Sequence, residues 1–253
     1  MLKTTLFSLA AGLVSQAIVA QNSETYFASF PSISPDAQTL VYCFEGDIWK
    51  TDLNTKVSTR LTAMRGTESR PKISPDGKWL AFTGSQYGNP DVYVMPLEGG
   101  AIRQLTFHDT QDYVESWSWD SKSIYLSSGA QNDGTAYKLA INGGTPVRLF
   151  SHFFNRIHNV AEHPTTGEIF FNDTWESDNQ STRKGYKGAF NPDIQSYNPK
   201  TKAYKRYTNY IGKDLWASID RSGNVYFASD EANGQYNLYT FQNGQKLALT
   251  QFP

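Results

Sequence analysis

The 253-residue chain has one cysteine, Cys43, so no intramolecular disulfide can staple it. Cys43 lies in the apolar run Leu40-Val41-Tyr42-Cys43-Phe44, where a buried small hydrophobe is expected rather than a reactive thiol. No run of one charge stands out: 23 Lys and Arg face 24 Asp and Glu, a formal net charge of −1. Without a basic arm or stripe to neutralise phosphates, nucleic-acid binding is unsupported, as is electrostatic docking to a membrane. The sequence has no GxSxG elbow, HExxH, CxxC or phosphate-loop signature. A Ser-His-Asp triad gathered from distant positions stays open as an alternative, but no catalytic residue, cofactor or metal ligand is assigned.

The one long apolar stretch is at the start. Lys3 precedes Leu6 to Val19, interrupted by Ser8, Ser15 and Gln16 and ending at Ala20-Gln21. That is short for a membrane span and has the form of a signal peptide, residues 1–20, with export to a periplasm or the exterior expected. An uncleaved anchor is the other reading. Cleavage would remove one lysine and no acid, leaving a charge of −2 and no membrane attachment.

What the chain does have is aromatics and turn residues. Six Trp, fifteen Tyr and fifteen Phe accompany nineteen Gly, a composition suited to strands joined by tight turns. Self-similarity then organises everything after the leader. PSISPDAQTLVYCFEGDIWKTDLNTKVSTRLT, beginning at Pro31, is followed by PKISPDGKWLAFTGSQYGNPDVYVMPLEGGAIRQLT, beginning at Pro71. Further copies begin near Ser116 and Ala217, with a longer, degraded copy between them. A period of about 40–45 residues is that of a four-stranded propeller blade.

Ser74-Pro75-Asp76-Gly77 supplies a turn between first and second strands. Trp79 to Thr83 and Asp91 to Met95 are apolar on both faces, so each strand needs cover on both sides, which neighbouring repeats provide. An all-β propeller domain is expected over 21–253, with repeats at about 25–62, 63–106, 107–149, 150–208 and 209–250. The repeats end with the chain, so a fragment holding five blades of an incomplete six-bladed ring is expected, with an apolar blade face open at each end.

The unit resembles the PD40 (WD40-like) repeat of TolB and of tricorn-type proteases. Ser69-Arg70-Pro71, Gln104-Leu105-Thr106-Phe107-His108 and Arg183-Lys184-Gly185-Tyr186-Lys187-Gly188 are similar to the first propeller of tricorn proteases. So are Asp193-Ile194, Tyr207-Thr208, Asp214-Leu215-Trp216 and the stretch from Tyr226 to Tyr239. The resemblance implies a non-catalytic propeller that filters or channels peptides to or from a serine-peptidase core (family S41). In that family the catalytic residues lie beyond such a propeller, with a PDZ domain. A free-standing TolB-like interaction propeller is the alternative. Peptides or proteins are the expected partners, together with downstream protease domains if a parent carries them.

Three groups of residues merit inspection in the structure. Arg183, Lys184, Tyr186 and Lys187 form a compact basic-aromatic cluster suited to a peptide carboxylate or a neighbouring domain, with a solvated loop as the plainer reading. Asp109, Asp112 and Glu115 are placed in the linker before the third repeat, where they could take a cation or a peptide's amino end. His152, His158 and His163, beside Glu162, are placed between the third and fourth repeats with no metal-ligand spacing. Asn172 and Asn179 fit the glycosylation sequon, and Asp230 to Gly234 reads as a hairpin turn.

Overall fold

The computed structural model describes residues 27–130, 134–149 and 156–253; the expected leader and His152 lie outside them. Five four-stranded antiparallel sheets follow one another along the chain, each with its strands in sequence order. The first is β1 (Ser29–Ile33), β2 (Thr39–Phe44), β3 (Asp47–Asp52) and β4 (Val57–Arg60). The second is β5 (Glu68–Ile73), β6 (Trp79–Gly84), β7 (Asp91–Pro96) and β8 (Arg103–Gln104). The third comprises β9 (Asp112–Trp117), β10 (Ser123–Ser128), β11 (Thr135–Ala140) and β12 (Val147–Arg148). The fourth has β13 (His158–Glu162), β14 (Ile169–Asn172), the short helix α1 (Trp175–Asn179), β15 (Gln195–Tyr197) and β16 (Tyr204–Arg206). The fifth has β17 (Asp214–Ile219), β18 (Val225–Ser229), β19 (Asn237–Gln242) and β20 (Gln245–Ala248). The architecture is an all-β propeller of five blades.

Each blade begins at a side-chain-locked turn. Ser34 Oγ accepts the Thr39 N–H at 2.9 Å and donates to Asp36 Oδ1 at 2.5 Å, while Asp36 accepts the Gln38 N–H. Ser74 with Asp76 and Ser118 with Asp120 repeat the arrangement. Where the motif has drifted, a different acceptor does the same work. His163 Nδ1 accepts from the N–H of Thr165 and Thr166, and Asp220 Oδ1 from those of Ser222 and Asn224.

Apolar side chains from alternate positions fill the spaces between blades. Leu80 and Phe82 pack with Val41 and Ile48 of the first blade, whereas Ala81, between them in β6, faces Val114, Ile124 and Leu126 of the third. Tyr125 and Ala136 meet Ile157, Ile169 and Phe171, and Phe170 and Ile194 meet Val225, Phe227 and Tyr239. Period-two alternation therefore sends neighbouring residues of one strand into two different cores. Phe30 and Ile33 of β1 stay about half exposed (47% and 55%), and Leu238, Leu247 and Leu249 of the fifth blade are similarly open.

The innermost strands carry a repeated distortion. β1, β5, β13 and β17 each slip register across Phe30, Arg70, Asn159 and Trp216, residues with φ between 50° and 59°. Such bulges turn a backbone N–H out of the sheet ladder and toward the preceding blade. Asn159 N–H meets Glu115 Oε2 at 2.8 Å and Trp216 N–H meets Asn172 Oδ1 at 3.2 Å. Asn172 also donates its amide to the carbonyls of Asp193 and Asp214. This sequon asparagine is thus buried and committed to joining two blades.

The threonine closing a blade is a second polar joint. Thr62, Thr106, Thr208 and Thr250 each accept, at 2.9 Å, a backbone N–H at the start of the third strand: those of Ile48, Val92 and Leu238, each second in its strand, and that of Ile194, just before β15. The hydroxyls of Thr106 and Thr208 donate to Asp91 and Asp193, and that of Thr62 to Glu68. Thr208→Val keeps the shape but strands the Ile194 N–H and removes a donor from Asp193. It is expected to lower unfolding free energy by about 1–3 kcal/mol, read from urea denaturation.

Candidate functional site

Antiparallel blades place the second-to-third loops and the linkers between blades at one end of the propeller, opposite the Ser-Pro-Asp-Gly turns. The fourth blade's insertion, 173–194, and the linker at 105–111 share this loop end, so the basic cluster and Asp109 lie on the same side.

The insertion is held by its own charges. Thr174 caps α1, accepting the Ser177 N–H, and Glu176 points inward with 3% of its side chain exposed. Its Oε1 lies 3.2 Å from Arg183 Nε and 3.3 Å from Nζ of the fully buried Lys213, which also donates to the Gln180 carbonyl. Two cations around one buried carboxylate offset its desolvation. The Arg183 guanidinium stacks over Tyr186 at 4.3 Å, Lys184 donates to Gln235 at 2.6 Å, and Tyr236 donates to the Ser181 carbonyl. Asp178 pairs with Arg156 at 3.1 Å. Arg183, Lys184 and Tyr186 are therefore brought together and anchored to the fifth blade, while Lys187 is exposed.

The acidic group divides. Asp109 is exposed in the linker, its carboxylate 3.0 Å from His108 Nδ1. Asp112 and Glu115, by contrast, are not linker residues: they belong to β9 and are buried. β9 pairs with β10 from Asp112 onward, Asp112 opposite Ser128, so the strand starts earlier than the linker reading placed it. Glu115 joins three blades. It takes Arg70 at 3.1 Å and the Ser127 hydroxyl at 2.7 Å on Oε1, and the Asn159 N–H on Oε2. Arg70 stacks on Tyr113 at 4.4 Å.

The histidines also separate. His158 is a β13 residue, 4% exposed, rather than part of a linker. Burial holds its imidazole below the ordinary range, in the neutral form. His163 serves in the turn already described. Cys43 is buried, and desolvation pushes its thiol up to about 11.

Buried carboxylates at the blade junctions were the feature motif inspection missed. Asp91 faces Asp112, and Asp193 faces Asp214, with Thr106 and Thr208 beside them; Asp47 and Glu68 repeat the pattern with Thr62. Desolvation, augmented by the neighbouring acid for Glu68, Asp91 and Asp193, raises Glu68, Asp91, Asp112, Asp193 and Asp214. Asp91 reaches about 6. The signal was a constant spacing: Asp47 to Thr62, Asp91 to Thr106 and Asp193 to Thr208 are each fifteen apart. At the junction of third and fourth blades Thr135 and Ile157 replace both acids, while Arg148 keeps the register position of Arg60 and Arg206.

Asp91 forms the inner wall of an open groove of about 530 Å³ on the loop end, lined by Tyr87, Asn89, Gln104, Phe107, His108 and Asp109. A second cleft of about 330 Å³ lies by Tyr113, Ser127, Arg156 and Asp178.

Residues 25–252 match the family model described as the tricorn protease N-terminal β-propeller domain. The chain belongs to this family. It is 29% identical over 235 residues to tricorn protease homolog 1 of Streptomyces coelicolor, covering 91% of this chain and 19% of that protein. A tricorn protease homolog of Saccharolobus solfataricus is 27% identical, with 88% of this chain and 20% of the relative covered. The chain thus spans about a fifth of the length of these relatives. Among solved structures, a tricorn protease superposes with TM-score 0.73 at 17% identity, covering 89% of this chain and 22% of its own. A TolB protein from Agrobacterium tumefaciens also gives 0.73, at 21% identity, with 88% and 80% covered.

Because the folded state binds a proton at Asp91 more tightly than the unfolded chain, its contribution to stability is full below pH 4 and lost as pH rises through about 6. The fifth blade carries Asn237 at the same register. Asp91→Asn is expected to fold and to flatten the decline of unfolding free energy between pH 4 and 7, measured by denaturant titration at each pH.

Proposed function

We propose that the chain is the exported, non-catalytic N-terminal propeller of a tricorn-type peptidase, which filters or channels peptides to or from a proteolytic core carried elsewhere in the parent protein. The family match over residues 25–252 carries this reading. The geometry supports it in one respect: the chemistry-bearing side chains gather on the loop end, where a basic, aromatic insertion and an acidic groove face solvent together. A peptide is the ligand with both charges. Its carboxylate suits the lysines of the insertion and its cationic groups suit the groove.

The second reading, a TolB-like interaction propeller acting alone in the cell envelope, is favoured by the TolB neighbour, of which the superposition covers 80%. Coding sequence for a serine-peptidase domain downstream of codon 253 would favour the first reading, and its absence the second. The peptide-handling role is tested by passing a mixture of short peptides over the immobilised full chain. Capture is expected, falling about fivefold in the double variant Lys184→Glu, Lys187→Glu, which leaves the Arg183 anchor in place. Absence of capture by the wild-type chain would overturn the role.

A further inference from the structure

The blades can be compared with one another at the position two residues before the closing threonine. In the first blade it is Arg60, whose guanidinium lies 2.7 Å from Asp47 and donates to the Thr62 carbonyl. In the fourth it is Arg206, paired with Asp193 and donating to the Thr208 carbonyl at 2.9 Å. The second blade has the acid, Asp91, but the position holds Gln104. Its amide reproduces both hydrogen bonds, to Asp91 Oδ2 at 3.1 Å and to the Thr106 carbonyl at 2.8 Å, and brings no charge. In the fifth blade the exchange is complete on both sides, since Ala248 stands with Asn237.

The second blade is therefore the one that keeps a buried acid and gives up its arginine. Asp91 is 2% exposed, and Asp112 behind it, 3% exposed, has an Oδ1 without a hydrogen-bond partner. Among the described residues no lysine or arginine lines the groove that opens onto this pair, and its one histidine, His108, lies against Asp109. Its outer walls are instead two aromatic side chains, Tyr87 and Phe107, 70% and 77% exposed, and its rim carries Asp109. Exposed rings flanking carboxylates form a setting for a planar cation, which stacks on the rings while donating to the acid. In the fourth blade Arg206 reaches a carboxylate as buried as Asp91 while 57% of its own side chain stays in solvent. A guanidinium arriving from the same side has the same route.

We infer that the second-blade groove receives the guanidinium of an arginine side chain on a peptide, with Asp91 and Asp109 as its acidic partners and Tyr87 and Phe107 as its walls. The ligand then supplies the charge that Arg60 and Arg206 supply within the chain. The inference rests on the peptide-handling reading only for the source of the guanidinium.

The test is calorimetric titration of the full chain with Ac-Gly-Gly-Arg-Gly-Gly-amide and with the same peptide carrying citrulline, which keeps the shape and loses the charge. The arginine peptide is expected to bind about tenfold more tightly. Gln104→Arg installs the chain's own cation and is expected to abolish that preference while raising the thermal midpoint. Asp91→Asn, which copies the fifth blade, is expected to abolish the preference by removing the acid, and it keeps the test decisive should Gln104→Arg misfold. Free arginine as a third probe distinguishes the sources: binding as tight as the peptide's would overturn a peptide ligand. Equal affinity for arginine and citrulline peptides, or an undiminished preference in both variants, would overturn the site. If those results came with capture still sensitive to Lys184 and Lys187, the site would fall and the peptide-handling role would stand.

Discussion

A four-stranded sheet with apolar side chains on both faces cannot remain in water alone, and everything else in this chain follows from covering those faces. The alternation in β6 shows the constraint at work: Leu80 and Phe82 fill one inter-blade core, and Ala81 another. Each fully buried aliphatic or aromatic side chain is worth about 1.5–3 kcal/mol, but only when the neighbouring blade is present. Stability is consequently a property of junctions. The loops at either end need no part in the apolar packing, which frees them to vary in length and chemistry.

Junctions made only of apolar contacts would leave backbone groups of the inner and third strands without partners. The chain answers with side chains that accept N–H groups the ladders do not reach: Asn172 and Glu115 cross to the next blade's inner strand, and the closing threonines serve the third strand of their own blade. The acids beside those threonines are desolvated, a penalty that arginine offsets in the first and fourth blades. Where the junction between third and fourth blades loses its acids, Ile157 enters the core there instead. The two acids of that joint are thus lost together, so neither is left buried against an apolar partner, although Arg148 stays at the arginine position.

Period and turn chemistry made the fold legible in the sequence. Ser-Pro-Asp-Gly, recurring at a blade's length, marks a hydrogen-bonded turn whose bonds are local, and local bonds leave local signatures. The site was less legible for the opposite reason. Glu115 and Asp112 look like part of an acidic linker, and only pairing with β10 shows that they are strand residues turned inward. Lys213 gives no sign in the sequence that it is buried against Glu176, thirty-seven positions away, because that contact depends on how the insertion folds over the fifth blade. Arg183, Lys184 and Tyr186 were recognisable as a cluster because they are adjacent, but their anchoring role is set by residues distant in sequence.

A repeat protein offers an internal control that a single sequence of another kind does not. Five copies of one unit show which departures are compensated within the chain and which are not. His163 and Asp220 depart from the turn serine, yet each restores the lost acceptor, so those changes are structural drift. Asn237 with Ala248 removes acid and base together, leaving no net charge behind. Gln104 differs from all of these, since the hydrogen bonds of the arginine survive and its charge does not. Packing alone would not select that outcome: an uncompensated buried carboxylate destabilises the fold, and the chain's own fourth blade shows that arginine fits the position. A cost that the fold could avoid and does not, placed beside two exposed aromatic rings on the end that carries the insertion, separates a binding surface from a worn repeat.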